Sequence, residues 1–255
     1  MPDTADLTVH DAPRAIYLKD YKPPAYLVDV VDLHFDLDEE ATIVRSRLLM
    51  RRNEAAQIGQ AALELCGSHQ ELIRIKLEGR VLNQTEYQLT DEQLTVQDVP
   101  EQFTLEIESR INPKANTALE GLYLSSGLLT TQCEAEGFRR ITFFPDRPDV
   151  MARFTVTLQA DKQKFPVLLA NGNRVDSGEH DDGRHWARWE DPSLKPSYLF
   201  AVVAGPLVYQ EDTFTTMSGR NVVLRLYVEE ENISKCDHAI ASLKQAMQWD
   251  EEVYG

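Results

Sequence analysis

The chain has 255 residues, a length that suits one large domain or two small ones, and its 42% apolar content supplies a sizeable core. A formal charge of −16 excludes a general electrostatic attraction to nucleic acid or to anionic lipid, because both require a net basic face. The first thirty residues contain no cationic start followed by an apolar run, and no later stretch approaches a membrane span, so the expectation is a cytoplasmic protein without a membrane partner.

Residues 1–24 mix polar side chains with Pro13, Pro23 and Pro24 and read as an irregular N-terminal arm. The period then becomes two. Val31, Leu33, Phe35 and Leu37 alternate with Asp32, His34, Asp36 and Asp38, which places an apolar set on one face of a strand and an acidic set in water. Beyond the turn at Asp38-Glu39-Glu40, Val44, Ser46, Leu48 and Met50 alternate with Arg45, Arg47 and Arg51. That spacing predicts a hairpin in which arginines face carboxylates. Strand patterns recur at residues 63–65, 73–75, 87–89, 94–96, 103–107, 154–158, 167–170, 184–189 and 198–203, with turns at Asn171-Gly172-Asn173 and Asp181-Asp182-Gly183. Nearly everything up to about residue 207 therefore reads as β, in a sandwich or a bent sheet. A last hairpin is expected over 212–216 and 222–228. From Ile233 the period turns helical, with Ile240, Leu243, Ala246 and Met247 on one stripe.

The informative stretch for chemistry is 116–149. Gln132, Glu134 and Glu136 occupy alternate positions after a strand-like run, so all three can project from one face near a strand end. An amide with two carboxylates is a plausible cation site, but exposed glutamates are common, and spacing alone favours a solvated strand terminus. Phe143-Phe144-Pro145-Asp146-Arg147-Pro148-Asp149 sets a sharp turn, which Arg147 can anchor by charge-assisted hydrogen bonds to the flanking aspartates. Trp186 and Trp189 with Arg184 and Arg188 read as one packed sheet face. Cys66, Cys133 and Cys236 are odd in number and widely spaced, which suggests neither a disulfide framework nor a zinc knuckle. No two of the six histidines lie four positions apart, so no two-histidine metal helix can be assembled.

The segments NTALEGLY, TQCEAEGFRRITFFPDRPDV, NGNRV, GRHW and YLFAVVAG resemble, in the same order and at similar spacing, the N-terminal domain of the thermolysin-like zinc aminopeptidase family, over roughly residues 15–255. The resemblance implies a mainly β fold: a saddle-shaped β-sandwich over 25–207, followed over 208–255 by the hairpin and helix that begin a thermolysin-like α/β catalytic domain. It further implies that Gln132 and Glu134 lie beside the free amino terminus of a peptide substrate, with Cys133 and Glu136 as structural neighbours. An enzyme confined to chain ends must detect an ammonium group, which a partly desolvated carboxylate does strongly. An internal peptide bond brings no such cation and would leave the carboxylate unpaired.

Members of this family hold zinc with a His-Glu-x-x-His helix and a further glutamate, and grip substrate with a Gly-x-Met-Glu-Asn strand. Neither motif occurs in this sequence. The resemblance therefore implies a fragment that is inactive alone, with no catalytic residue or metal ligand of its own, whose partner is the rest of its catalytic domain and whose full-length parent carries zinc. Two other readings stay open: a stand-alone β-sandwich that binds a protein or peptide without catalysis, and the epoxide-hydrolysing branch of the same family.

Overall fold

The computed structural model describes residues 17–56 and 61–255. Of the arm expected over 1–24, residues 1–16, with His10 and Pro13, lie outside the described residues. The remainder of the arm is tied down near Asp149. The Tyr21 hydroxyl donates to Asp149 Oδ2 (2.9 Å), and Arg147 Nη2 donates to the Lys22 carbonyl (2.9 Å).

Among the described residues the chain runs through β1 (Tyr26–Asp36), β2 (Thr42–Arg52), β3 (Leu63–Cys66), β4 (Glu71–Leu77), β5 (Arg80–Val81), β6 (Tyr87–Leu89), β7 (Gln93–Val96) and β8 (Gln102–Ile111). It continues through β9 (Gly121–Ser125), β10 (Leu128–Gln132), β11 (Met151–Asp161), β12 (Val167–Ala170), β13 (Asn173–Glu179), β14 (Arg184–Pro196) and β15 (Val202–Gly205). A hairpin of β16 (Val208–Thr215) and β17 (Asn221–Val228) leads to the helix α1 (Cys236–Tyr254). The fold is mainly β, as the period-two patterns predict.

Eight strands form the largest sheet, in the order β13-β14-β11-β1-β2-β8-β4-β5, beside a four-stranded sheet β12-β15-β10-β9 and a three-stranded sheet β3-β7-β6. Alternation along β1 turns Val31, Leu33 and Phe35 inward, where Leu48 of β2, Leu105 of β8 and Val156 of β11 meet them. Leu65 and Leu94 of the three-stranded sheet and Leu129 and Val202 of the four-stranded one join the same buried cluster. One core therefore ties the three sheets together. No described helix is long and apolar enough to cross a membrane.

The predicted β1–β2 hairpin forms, with Asp32 opposite Arg47 and His34 opposite Arg45. Arg51 meets a carboxylate of β1 as expected, whereas Arg45 looks further. Arg45 Nε pairs with Glu108 of β8 (2.8 Å), and Arg74 of β4 takes the other oxygen of the same carboxylate (2.7 Å), while Arg51 pairs with Asp29 (3.0 Å). Exposed pairs of this kind contribute about 0–1 kcal/mol each, so the ladder matters for register more than for stability.

Three sequence expectations are corrected. The strand expected over 198–203 begins only at Val202, because after β14 ends at Pro196 the chain makes a 3-10 turn over Ser197–Leu199, closed by the Phe200 N–H donating to the Ser197 carbonyl (3.0 Å). Trp186 pairs across from Gln159 and Trp189 from the inward-facing Val156, so period two puts the tryptophans on opposite faces. Trp186 shares its side with Arg184 and Arg188, and Trp189 packs on the core. In α1 the line against the hairpin runs through Cys236, Ile240, Lys244, Met247 and Glu251, with Lys244 paired to Asp212 (2.5 Å) and Glu251 accepting from the Met217 N–H (3.0 Å). Leu243 and Ala246, both expected on the buried stripe, lie off this line and are exposed, Leu243 at 44%.

Phe138 has no exposed surface, and its ring lies 5.0 Å from that of Phe144 and 5.1 Å from that of Phe200, both edge-on. Replacing it empties a fully enclosed site. Phe138→Ala is expected to lower unfolding free energy by about 3–5 kcal/mol, measured as a reduced urea midpoint.

Candidate functional site

The turn that carries Gln132 and Glu134 starts where β10 ends. In the β9–β10 pairing Gln132 is opposite Gly121, and the chain then folds back so that the Gly137 N–H donates to the Cys133 carbonyl (2.8 Å). The peptide joining Glu134 and Ala135 is cis. Two glycines let the turn sit this close. A Cβ at Gly137 would stand 2.4 Å from the Gln132 carbonyl oxygen and 2.9 Å from the Gly121 nitrogen. Gly121 has φ +71° and faces the Arg140 Cβ, which a Cβ of its own would approach to 2.7 Å.

Below the turn lies a buried ion pair. The side chain of Asp146 is 1% exposed; its Oδ2 accepts from both the backbone N–H and the Nε of Arg139 (3.1 Å each). Its Oδ1 accepts from the Ser197 hydroxyl (2.5 Å). Arg139 Nη2 returns to the Asp146 carbonyl (3.2 Å) and also pairs with Glu136 (3.2 Å). The Arg139 carbonyl accepts from Ser68 N (3.0 Å) and Gln70 Nε2 (2.8 Å). Both the main chain and the side chain of Arg139 are thus fixed.

The three residues proposed from spacing do not stay together. Gln132 and Glu134 are both exposed and are linked, since Gln132 Nε2 donates to the Glu134 carbonyl (3.1 Å) and leaves its Oε1 as an acceptor. Glu136 departs, because strand alternation ends at Gln132. With Glu120, Arg139 and Arg140 it lines a recess of about 810 Å³ in which Gln132 and Glu134 take no part. Arg140 pairs there with Glu120 (3.3 Å). Between the two exposed residues, Cys133 is buried, and burial, with the Asp146 charge second, pushes its thiol up to about 12. Cys133 is therefore a packed thiol with no nucleophilic character at neutral pH.

Sequence reasoning missed Asp146, Arg139 and Ser197. The only signal was the two aspartates flanking Arg147, and only one of them behaves as expected. Arg147 holds Asp149 through two bonds, Nε to Oδ1 (2.8 Å) and Nη2 to Oδ2 (2.6 Å), and Arg147 with the Tyr21 hydroxyl keeps that carboxyl below its usual range. Asp146 turns inward instead.

Two of the described histidines have ordinary surroundings. His185 Nε2 hydrogen-bonds with the Phe165 carbonyl oxygen (2.7 Å), and His34 is held below its usual pKa by burial and by the Arg45 charge. Among the described residues no group of three or more histidine, cysteine, aspartate or glutamate side chains could hold a metal ion.

The three joined sheets match a known class of domain. The chain belongs to the peptidase M1 N-terminal domain family, which matches residues 37–199. It is 48% identical over 243 residues to the aminopeptidase N of Escherichia coli strain K12, covering 95% of this chain and 27% of that protein. It is also 48% identical over 245 residues to the aminopeptidase N of Caulobacter vibrioides, covering 96% of this chain and 28% of that protein. The chain thus spans between a quarter and a third of the length of these relatives. Among solved structures, Legionella pneumophila aminopeptidase A in complex with aspartic acid matches with a TM-score of 0.89 at 37% identity, over 93% of this chain and 28% of that one. An M1 zinc metallopeptidase of Deinococcus radiodurans shares the fold, with a TM-score of 0.66 at 17% identity, over 81% of this chain and 48% of that one.

Two outcomes follow from the turn. Gly137→Ala forces the Gln132 carbonyl aside and is expected to cost about 1–3 kcal/mol of stability, with loss of the Gln132–Glu134 hydrogen bond in a crystal structure of the variant. Cys133 should resist iodoacetamide at pH 8 until denaturant opens the fold. The folded thiol, at about 12, lies above its ordinary value of 9.0, so the folded state binds this proton more tightly. The associated stability is present below pH 9.0 and is lost as pH rises toward 12, which alkaline unfolding curves will show as a fall that is smaller in Cys133→Ala.

Proposed function

We propose that this chain is the N-terminal part of a zinc-dependent aminopeptidase that hydrolyses N-terminal residues from peptides, and that Gln132 and Glu134 receive the free α-amino group of the substrate. The observation that carries the reading is 48% identity to bacterial aminopeptidase N along 95% of the chain. The turn geometry supports the assignment of the two residues. An ammonium group has three donors, and here a carboxylate and an amide oxygen two residues apart are available to accept from it. With one Nε2 hydrogen engaged by the Glu134 carbonyl, the Gln132 side-chain oxygen is left to accept.

In this reading the two residues set register and do no bond chemistry. Holding the charged terminus fixes which peptide bond lies over the reaction centre, and a substrate without that cation leaves a carboxylate unpaired as the site closes. The zinc of the enzyme, which serves hydrolysis, would be held outside this chain, whose sequence carries no His-Glu-x-x-His pattern. Residues 25–207 form the β domain of the proposed enzyme, and 208–255 the beginning of its catalytic domain, whose remainder is the partner of this part. Free thiols at Cys66, Cys133 and Cys236 fit a reducing cytoplasm.

The test is Glu134→Ala in the full-length enzyme. Loss of a charged hydrogen-bond acceptor, about 1.5–3 kcal/mol, should lower kcat/KM on an aminoacyl anilide by roughly 10- to 150-fold with zinc content unchanged. Turnover that survives nearly intact would show that Glu134 does not hold the amino terminus.

A further inference from the structure

We propose that Asp146 is a positioning residue for amino-terminus recognition: its buried carboxylate, acting through Arg139, fixes the turn that presents Gln132 and Glu134. The inference rests on the role proposed above for those two residues.

A carboxylate with 1% of its side chain exposed is an unusual choice beneath a surface turn. Burying a charge costs several kcal/mol unless partners replace water, and a neutral side chain would fill the same space without that cost. What the charge adds is directional hold on Arg139. A single oxygen, Oδ2, accepts from both its backbone N–H and its Nε (3.1 Å each), which locks the residue's main chain and its guanidinium to one point. The far end of that guanidinium then reaches up to Glu136 in the exposed turn (3.2 Å). On the other side, Ser197 donates to Oδ1 (2.5 Å) and brings in the end of the β14 segment.

The order so imposed travels a short way. Phe138, adjacent to Arg139, is fixed in the aromatic core, and Gly137 closes the turn on the Cys133 carbonyl (2.8 Å). Only Glu134 to Glu136 lie between these fixed points, and apart from the Gln132 bond to the Glu134 carbonyl and the Glu136 pair to Arg139 they are exposed. The place of the Glu134 carboxylate is thus set largely from below. A displacement of about 1 Å at a substrate-positioning group can cost 100-fold in rate, so an anchor of this kind has a kinetic signature.

The experiment is a double-mutant cycle in the full-length enzyme with Asp146→Ala, Glu134→Ala and the pair, reading kcat, KM and zinc content. Asp146→Ala is expected to lower kcat/KM on an aminoacyl anilide by about 10- to 100-fold, mostly through KM, with zinc retained. Added to Glu134→Ala, it should cause little further loss, because the group it positions is gone. Asp146→Asn should recover part of the activity, since its Oδ1 can accept from Arg139 while its Nδ2 donates to the Ser197 hydroxyl, but the charge that strengthens the hold on Arg139 is gone. Losses that multiply in the double variant, or a fall in kcat alone, would overturn this proposal and leave the role of Glu134 standing. A Glu134→Ala enzyme of normal activity would instead sink the reading of the site itself. Should Asp146→Ala fail to fold, Ser197→Ala replaces it in the same cycle, with a loss of about threefold expected from one weakened hydrogen bond, and no loss, or a loss that multiplies with Glu134→Ala, overturns the proposal.

Discussion

The ion pair of Asp146 and Arg139 is the constraint around which the rest of this end of the molecule is arranged. An anion with 1% of its side chain exposed has to be matched by donors on every open side, and the chain supplies them from two separate segments, 139 and 197. Once those donors are committed, the Arg139 carbonyl has one place to be, and Ser68 and Gln70 converge on it from the loop after β3. Phe138, one residue earlier, is carried into contact with Phe144, Phe154 and Phe200. Polar and aromatic contacts here reinforce one another, so a break in one loosens the other.

This anchor also joins the sheets. Gln132 ends a strand of the four-stranded sheet, Asp146 precedes β11 of the eight-stranded sheet, and Ser197 follows β14 of the same sheet. The exposed turn therefore stands at the junction of two layers whose relative placement is fixed by one core. A recognition group placed on such a junction inherits rigidity from both, which a free loop of the same length would lack. The isolated bridge between Cys66 and Phe144 brings the three-stranded sheet to the same junction.

The role proposed for Gln132 and Glu134 gives the junction a meaning that geometry alone would not. Exposed carboxylates are common on a chain of charge −16, and most of those here are engaged in ion-pair ladders across β1, β2, β4 and β8 or simply solvated. Glu134 differs in its support, since the chain on either side of it is fixed while its own carboxylate faces outward. Glu136, two residues on, is spent on Arg139 and has no such freedom.

Much of the fold was legible in the residues alone. Alternation of Val31, Leu33 and Phe35 with Asp32, His34 and Asp36 determined a strand and its buried face, and the switch to a longer period after Ile233 determined a helix, because each depends on which way neighbouring side chains point. The role proposed for Gln132 and Glu134 comes from family resemblance and not from spacing, which is that of any acidic strand end. Tertiary structure alone decided that β1 pairs in parallel with β11, that Trp186 and Trp189 part company across one strand, that α1 turns Lys244 to its hairpin and leaves Leu243 in water, and that Asp146 is the buried aspartate and Asp149 the outer one. The reason is physical. Periodicity is written into adjacent residues, whereas the partner of a strand, the face of a helix and the burial of a charge are set by contacts with segments far away in the chain, whose donors and apolar surface no local pattern reveals.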